Sequence, residues 1–174
     1  NDTLKLIASE LTELAQISDR TAFFGKLSGR EVVYILKEVP ENPIITTATV
    51  GSTAPLYCTS LGKTLLAFLP KEQSDALLSE IEIQPRTQYT HKSPEELSRD
   101  LDQIRSRGYA LDFREYEDHM VCASAPVYQR NGTLEGAISI SGFYRPEEDY
   151  EKAGQLIRRR AAEISRLLGY QSTA

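Results

Sequence analysis

Hydrophobic and polar positions alternate along this chain with two periods. Leu4, Ile7, Leu11 and Leu14 recur at helical spacing and predict an amphipathic helix over about residues 3–17. Thr21–Leu27 and Glu31–Val39 are rich in β-formers and flank Ser28-Gly29-Arg30, which reads as a hairpin turn. After Pro40 and Pro43, the run Ile44–Val50 predicts a third strand, and Gly51 to Pro55 a loop. Leu61–Leu69 predicts a helix stopped by Pro70, and Ser74–Ile81 a second short one. Ser93-Pro94-Glu95-Glu96 has the makings of a capped helix start, with Leu97, Leu101 and Ile104 as its buried face and Gly108 as its stop. Tyr109–Glu115, Met120–Val127 and Thr133–Ser141 follow as strands, the last two joined around Asn131-Gly132. A final helix runs from about Glu147 to Leu168, with Tyr150, Ala153, Ile157, Ala161, Ile164 and Leu168 on one stripe. Strands joined largely by hairpins, with helices before, between and after them, predict one α+β domain built on an antiparallel sheet.

Composition narrows the class of function. The 174 residues are 40% apolar and 26% charged, those of an ordinary globular domain. Twenty Lys and Arg against 25 Asp and Glu give a net charge of -5, the wrong sign for a module that grips DNA by itself. Cys58 and Cys122 make neither a disulfide framework nor a C-x-x-C metal pair. No apolar run has the length of a membrane helix and no secretory leader stands at the start, so the expected setting is the reducing cytoplasm, with no membrane partner. A start at Asn1 that enters a helix almost at once reads as an excised domain.

Three segments could carry chemistry. Pro55 to Lys63 leads into a helix that Thr59 or Ser60 can cap, and its first-turn amides form an anion seat, although an ordinary capped helix is the plainer reading. In Ala137-Ile138-Ser139-Ile140-Ser141-Gly142, alternation places Ser139 and Ser141 on one face, either lining a pocket or meeting solvent. Around Asp112 and Met120–Pro126, Cys122 and Ser124 share a face, and an inert buried thiol is the plainer reading of Cys122. A Cys122–His119 nucleophilic dyad is disfavoured, because in a regular strand these positions point to opposite faces. His91 reads as a solvated loop residue, and Arg158-Arg159-Arg160 as an exposed basic face. Leu61-Gly62-Lys63-Thr64 lacks the earlier glycine of a phosphate loop. These residues contain no catalytic constellation, no metal site and no cofactor motif.

Pro55-Leu56-Tyr57-Cys58-Thr59-Ser60-Leu61-Gly62-Lys63-Thr64-Leu65-Leu66-Ala67 resembles the P-L-h-x-[ST]-x-x-G-K-x-L-L-A segment of the IclR (isocitrate lyase regulator) family of bacterial transcription factors. Gly108-Tyr109-Ala110-Leu111-Asp112, Glu115 and Cys122-Ala123-Ser124-Ala125-Pro126-Val127 are similar to a second signature of that family, and Gly132 with Ala137 to Gly142 follow in order. The resemblance covers about Leu4 to Tyr170. It implies a GAF-like effector-binding domain spanning residues 1–174, with a curved antiparallel sheet flanked by helices. It also implies an amino-terminal winged helix-turn-helix, absent from this chain, through which operator DNA would be bound. The implied partners are a small carboxylate effector (a 2-oxo acid, aromatic acid or sugar acid) and further copies of the chain in a dimer or tetramer. No enzyme activity is implied.

Matched position by position, the resemblance assigns effector contacts to Ser60, Leu61, Asp112, Cys122, Ser139 and Ser141, and pocket walls to Thr46, Ala54 and Met120. Asp112, as an acceptor, would suit a ligand hydroxyl or a protonated group rather than the carboxylate itself. The chain departs from the pattern at Arg114, where the family has Glu, at His119, where it has Gly, and in Phe143-Tyr144-Arg145-Pro146, about one residue short. Thr46 and Ala54 indicate a roomier, more polar pocket that would suit a hydroxylated sugar acid. Two rivals make different demands: an oligomerisation module with a vestigial pocket, and a hydrolase built on Cys122.

Overall fold

The structure, a computed structural model, describes residues 1–172. Its elements are α1 (Asp2–Ser18), β1 (Thr21–Ser28), β2 (Glu31–Glu38), β3 (Thr53–Pro55), α2 (Ser60–Phe68), α3 (Lys71–Glu80), α4 (Pro94–Arg107), β4 (Ala110–Phe113), β5 (Met120–Tyr128), β6 (Leu134–Phe143) and α5 (Tyr150–Leu167). The six strands form one curled antiparallel sheet in the order β3-β2-β1-β6-β5-β4. The first and last helices and the central helical segment fall where the apolar periodicity places them. Ser93 caps α4 through the Glu96 amide, and Gly108 ends it in the left-handed region at φ 87°.

Side-chain alternation splits the sheet between two cores. Phe24, Ala123, Ala125, Ile138 and Ile140 point to one face and pack against Ile7, Leu11 and Leu14 of α1 and Ile157 and Ile164 of α5. The other face carries Phe23, Val32 and Tyr34, covered by Leu61, Leu65 and Leu66 of α2 and by Leu97, Leu101 and Ile104 of α4. Ser139 and Ser141 belong to this second face, opposite Phe23 and Thr21 in the β1–β6 register. Here the sheet is not fully roofed by apolar side chains.

One expected element is absent, and a different one replaces it. Ile44–Val50 forms no strand, and residues 53–55 of the expected loop pair with β2 instead, Thr53 opposite Val33 and Pro55 opposite Glu31. The run is rich in β-formers, but it has no apolar face to bury: Ile45 is 94% exposed and Val50 is exposed too. Residues 39–52 form a loop held by Lys37 Nζ donating to the Ala48 carbonyl at 2.9 Å and by Thr47 Oγ1 donating to Glu117 at 3.0 Å. No helix among the described residues is long and apolar enough to cross a membrane.

The start of α2 lies against the chain that leads into it. A β-carbon at Gly62 would stand 2.4 Å from both Cα and the carbonyl oxygen of Leu56. Backbone cannot yield as a side-chain tip can, so only glycine lets α2 dock there. Gly62→Ala should destabilise the domain by about 1–3 kcal/mol, the usual cost of forcing extra carbon into packed structure. Denaturant unfolding measures it, and an unchanged midpoint would show that the close approach is not needed.

Candidate effector site

Between the uncovered part of the sheet, the start of α2 and the 39–52 loop lies a cavity of about 260 Å³. All nine residues singled out from the sequence line it: Ser60, Leu61, Asp112, Cys122, Ser139, Ser141, Thr46, Ala54 and Met120. Phe23, Tyr34 and Tyr116 add aromatic wall, and Thr47, Ala48 and Ser52 add loop residues that the motif comparison missed. The register held the signal for Phe23, which sits directly opposite Ser139. The loop residues carry no such signal: Thr47 and Ala48 fall in the expected strand, and Ser52 in an expected loop outside the quoted motifs.

Thr59 is the cap of α2, in extended conformation. Its hydroxyl accepts from the Gly62 amide at 3.1 Å and donates to the Pro55 carbonyl at 2.6 Å. The amides of Ser60 and Leu61 lie in the first turn, where no carbonyl of the same helix can reach them. The positive end of the α2 dipole therefore opens on the cavity. Among the described residues, no Lys or Arg lines this cavity, while Asp112 and Glu117 do.

Asp112 is buried, and its Oδ1 accepts from the Glu115 amide at 2.7 Å. Burial, reinforced by the charge of Glu115, pushes its carboxyl well above the usual carboxylate range against the pull of that amide and of Lys63. A carboxyl that keeps its proton both donates and accepts. Burial also drives the Cys122 thiol far above its ordinary value, and the Asp112 charge adds to the effect. Cys58, buried in the core, is pushed up to about 12 by the same desolvation. Neither thiol is poised as a nucleophile. His119 faces Glu117 at 3.5 Å and Phe143 rather than Cys122. Arg114 is also turned away, lying 4.8 Å from the Tyr89 ring centroid and 4.3 Å from that of Tyr144 and bonded to Asp118.

Behind the cavity wall lies a cluster that the sequence reading did not anticipate. Lys63, one turn into α2, is wholly buried, with Nζ 2.6 Å from Asp100 of α4, 2.8 Å from Glu115 and 2.6 Å from the Leu111 carbonyl. His91 is not a solvated loop residue: its Nε2 lies 2.8 Å from the same Asp100 oxygen. Burial works against the Lys63 charge, but Glu115 and Asp100 outweigh it and hold the amine above its usual value. Desolvation would raise Asp100, yet the His91 hydrogen bond and the Lys63 charge hold it far below the carboxylate range. His91, Asp100 and Glu115 offer ligand atoms within 4.8 Å of one another, but the Lys63 ammonium already supplies their positive charge.

The family profile described as "Bacterial transcriptional regulator IclR C-terminal" matches residues 2–166. The chain belongs to the IclR family. It is 34% identical to the HTH-type transcriptional regulator XynR of Escherichia coli over 162 residues, covering 92% of this chain and 64% of XynR. It thus spans a little under two thirds of that relative's length. The crystal structure of the Thermotoga maritima IclR superposes with a TM-score of 0.89 at 33% identity, covering 98% of this chain and 70% of that one. The carboxy-terminal domain of the Escherichia coli regulator KdgR superposes at 0.84 with 30% identity, covering 98% and 100%. The chain corresponds to the carboxy-terminal domain of IclR-type transcriptional regulators.

Two predictions follow the charges. Lys63→Met leaves Asp100 and Glu115 buried together without their cation and should cost about 3–5 kcal/mol; loss of less than about 1 kcal/mol on urea unfolding would mean the ammonium is not what holds them. Asp112 is raised in the folded state, so the unfolded chain releases this proton first as pH rises above its ordinary value of about 4. Its contribution to stability is present at acid pH and declines toward neutrality. Asp112→Asn should flatten that part of the melting-temperature profile between acid and neutral pH, and an unaltered slope would refute the assignment.

Proposed function

We propose that this chain is the sensing half of a bacterial regulator, binding a small carboxylate effector in the 260 Å³ cavity. The class comprises 2-oxo acids, aromatic acids and sugar acids. The observation that carries this reading is the convergence of the α2 first turn, Asp112, Ser139 and Ser141 on one cavity that, among the described residues, no cationic side chain lines. The Ser60 and Leu61 amides would receive the carboxylate. Neutral Asp112 and the hydroxyls of Ser139 and Ser141 would hold its polar substituents, with Phe23, Tyr34 and Met120 against its carbon skeleton.

Binding would act by favouring one of two arrangements of a cytoplasmic dimer or tetramer, which a DNA-binding domain outside this chain would report to the operator. Coupling of that kind is typically about 1–3 kcal/mol. A vestigial pocket in an assembly module would leave the same residues with nothing to bind. A Cys122 hydrolase is disfavoured by its protonated thiol and by the position of His119.

A thermal-shift screen against the three acid classes tests the reading. One class should raise the melting temperature in proportion to the logarithm of ligand concentration once it exceeds Kd. Ser139→Ala combined with Ser141→Ala should weaken that binding at least tenfold without changing the assembly state. A folded chain that ignores every acid, or a double variant that binds the hit as before, would refute the proposal.

A further inference from the structure

A second cavity, of about 100 Å³, lies where β1 begins and β6 ends. Ser141 lines both cavities, and the 39–52 loop crosses both, with Pro40, Asn42 and Ile44 at the second and Thr46, Thr47 and Ala48 at the first. Thr21, directly opposite Ser141 in the β1–β6 register, lines the second cavity. It is completely buried, yet its hydroxyl has no hydrogen-bond partner among the described residues. A buried hydroxyl left without a partner is a standing cost, and one that borders a cavity is suited to meet a partner arriving from outside.

Charges in this second cavity balance. Arg20 is paired with Glu148, both partly buried, and Arg145 and Asp19 add one charge of each sign. A site for a second anion would present surplus cation, which this one does not. Guanidinium, carboxylate and hydroxyl together offer interleaved donors and acceptors, and an aliphatic hydroxyl satisfies both kinds.

We propose that this second cavity, built by Arg20, Thr21, Ser141 and Glu148, is a subsite for the hydroxylated tail of the effector. The inference rests on the reading of the first cavity as the seat of the carboxylate. It selects linear polyhydroxy acids over aromatic acids and over short 2-oxo acids. The acid head lies at the α2 start, the chain passes Ser141, and the far hydroxyls reach Thr21 and the Arg20–Glu148 pair.

Calorimetric titration of the chain with glycerate, threonate, ribonate and gluconate tests it, with the six-carbon diacid glucarate as the charge control. Affinity should rise at least tenfold from glycerate to gluconate, and glucarate should bind more weakly than gluconate. Thr21→Val, which keeps the shape and removes only the hydroxyl, should abolish most of the gain for gluconate and leave glycerate within twofold of its original affinity. An affinity flat with chain length, an equal loss for glycerate and gluconate in Thr21→Val, or tighter binding of glucarate would overturn the subsite. Binding confined to acids without a hydroxylated tail would overturn it too, while leaving the carboxylate-sensor reading intact. Failure of every acid to bind would overturn both.

Discussion

Burial of a single ammonium ion organises the half of the domain that carries the cavity. Lys63 Nζ is out of contact with water and meets Asp100, Glu115 and the Leu111 carbonyl within 2.8 Å. These partners come from α4, from the end of β4 and from the turn beyond it, so one charge fixes α2 against all three. Replacing such a cluster by apolar residues is often no worse for stability, but an incomplete cluster is far worse. The arrangement therefore favours one register of α2 over its neighbours. Glu115 extends that influence to the cavity, because its amide is the donor to Asp112 and its charge helps keep the Asp112 carboxyl protonated.

The sheet itself does two jobs through its period of two. Ile138 and Ile140 close the core beneath α1 and α5, while Ser139 and Ser141, one residue away in each direction, face the cavity. Slipping β6 by one residue would exchange these sets, burying hydroxyls under the terminal helices and putting isoleucine in the cavity. Stability of the core and polarity of the site are thus specified by the same register.

How far the sequence could be read depended on whether a signal was local. Capping at Thr59 and Ser93, the Asn131-Gly132 hairpin and the alternation in β6 are properties of a few adjacent residues, and they appear in the structure as the pattern implies. Six of the nine cavity residues lie inside the spaced motifs, and Thr46, Ala54 and Met120 follow only from their positions beside them. The sequence shows Lys63 as a motif position and an incomplete phosphate loop, and His91 as polar loop, but not their ion pairs, because the Asp100 they share lies 37 and 9 residues away. The stretch Ile44–Val50 misled for the opposite reason. Its local β-propensity is high, but the edge of β2 is occupied by residues 53–55 and no second layer exists to bury Ile45.

Among the described residues no cationic side chain lines the cavity, and this constrains what kind of recognition is available. Lys63, one turn from the site, is committed to Asp100 and Glu115, and Arg114 is sandwiched between two tyrosine rings outside it. An anion entering the cavity must be balanced by oriented dipoles alone: the open amides of α2, neighbouring hydroxyls and a carboxyl kept neutral by burial. Dipoles of this kind lose force steeply with distance and angle, whereas a point charge attracts any anion nearby. A site built this way discriminates by the position of the ligand's oxygens, and its affinity depends on α2 staying where the Lys63 cluster holds it. Any motion of α2 relative to α4 would strain both the buried charge and the anion seat at once. That shared dependence would give binding at this cavity a mechanical route to the rest of the fold, since the helix whose first turn opens on it is also the one the Lys63 cluster anchors.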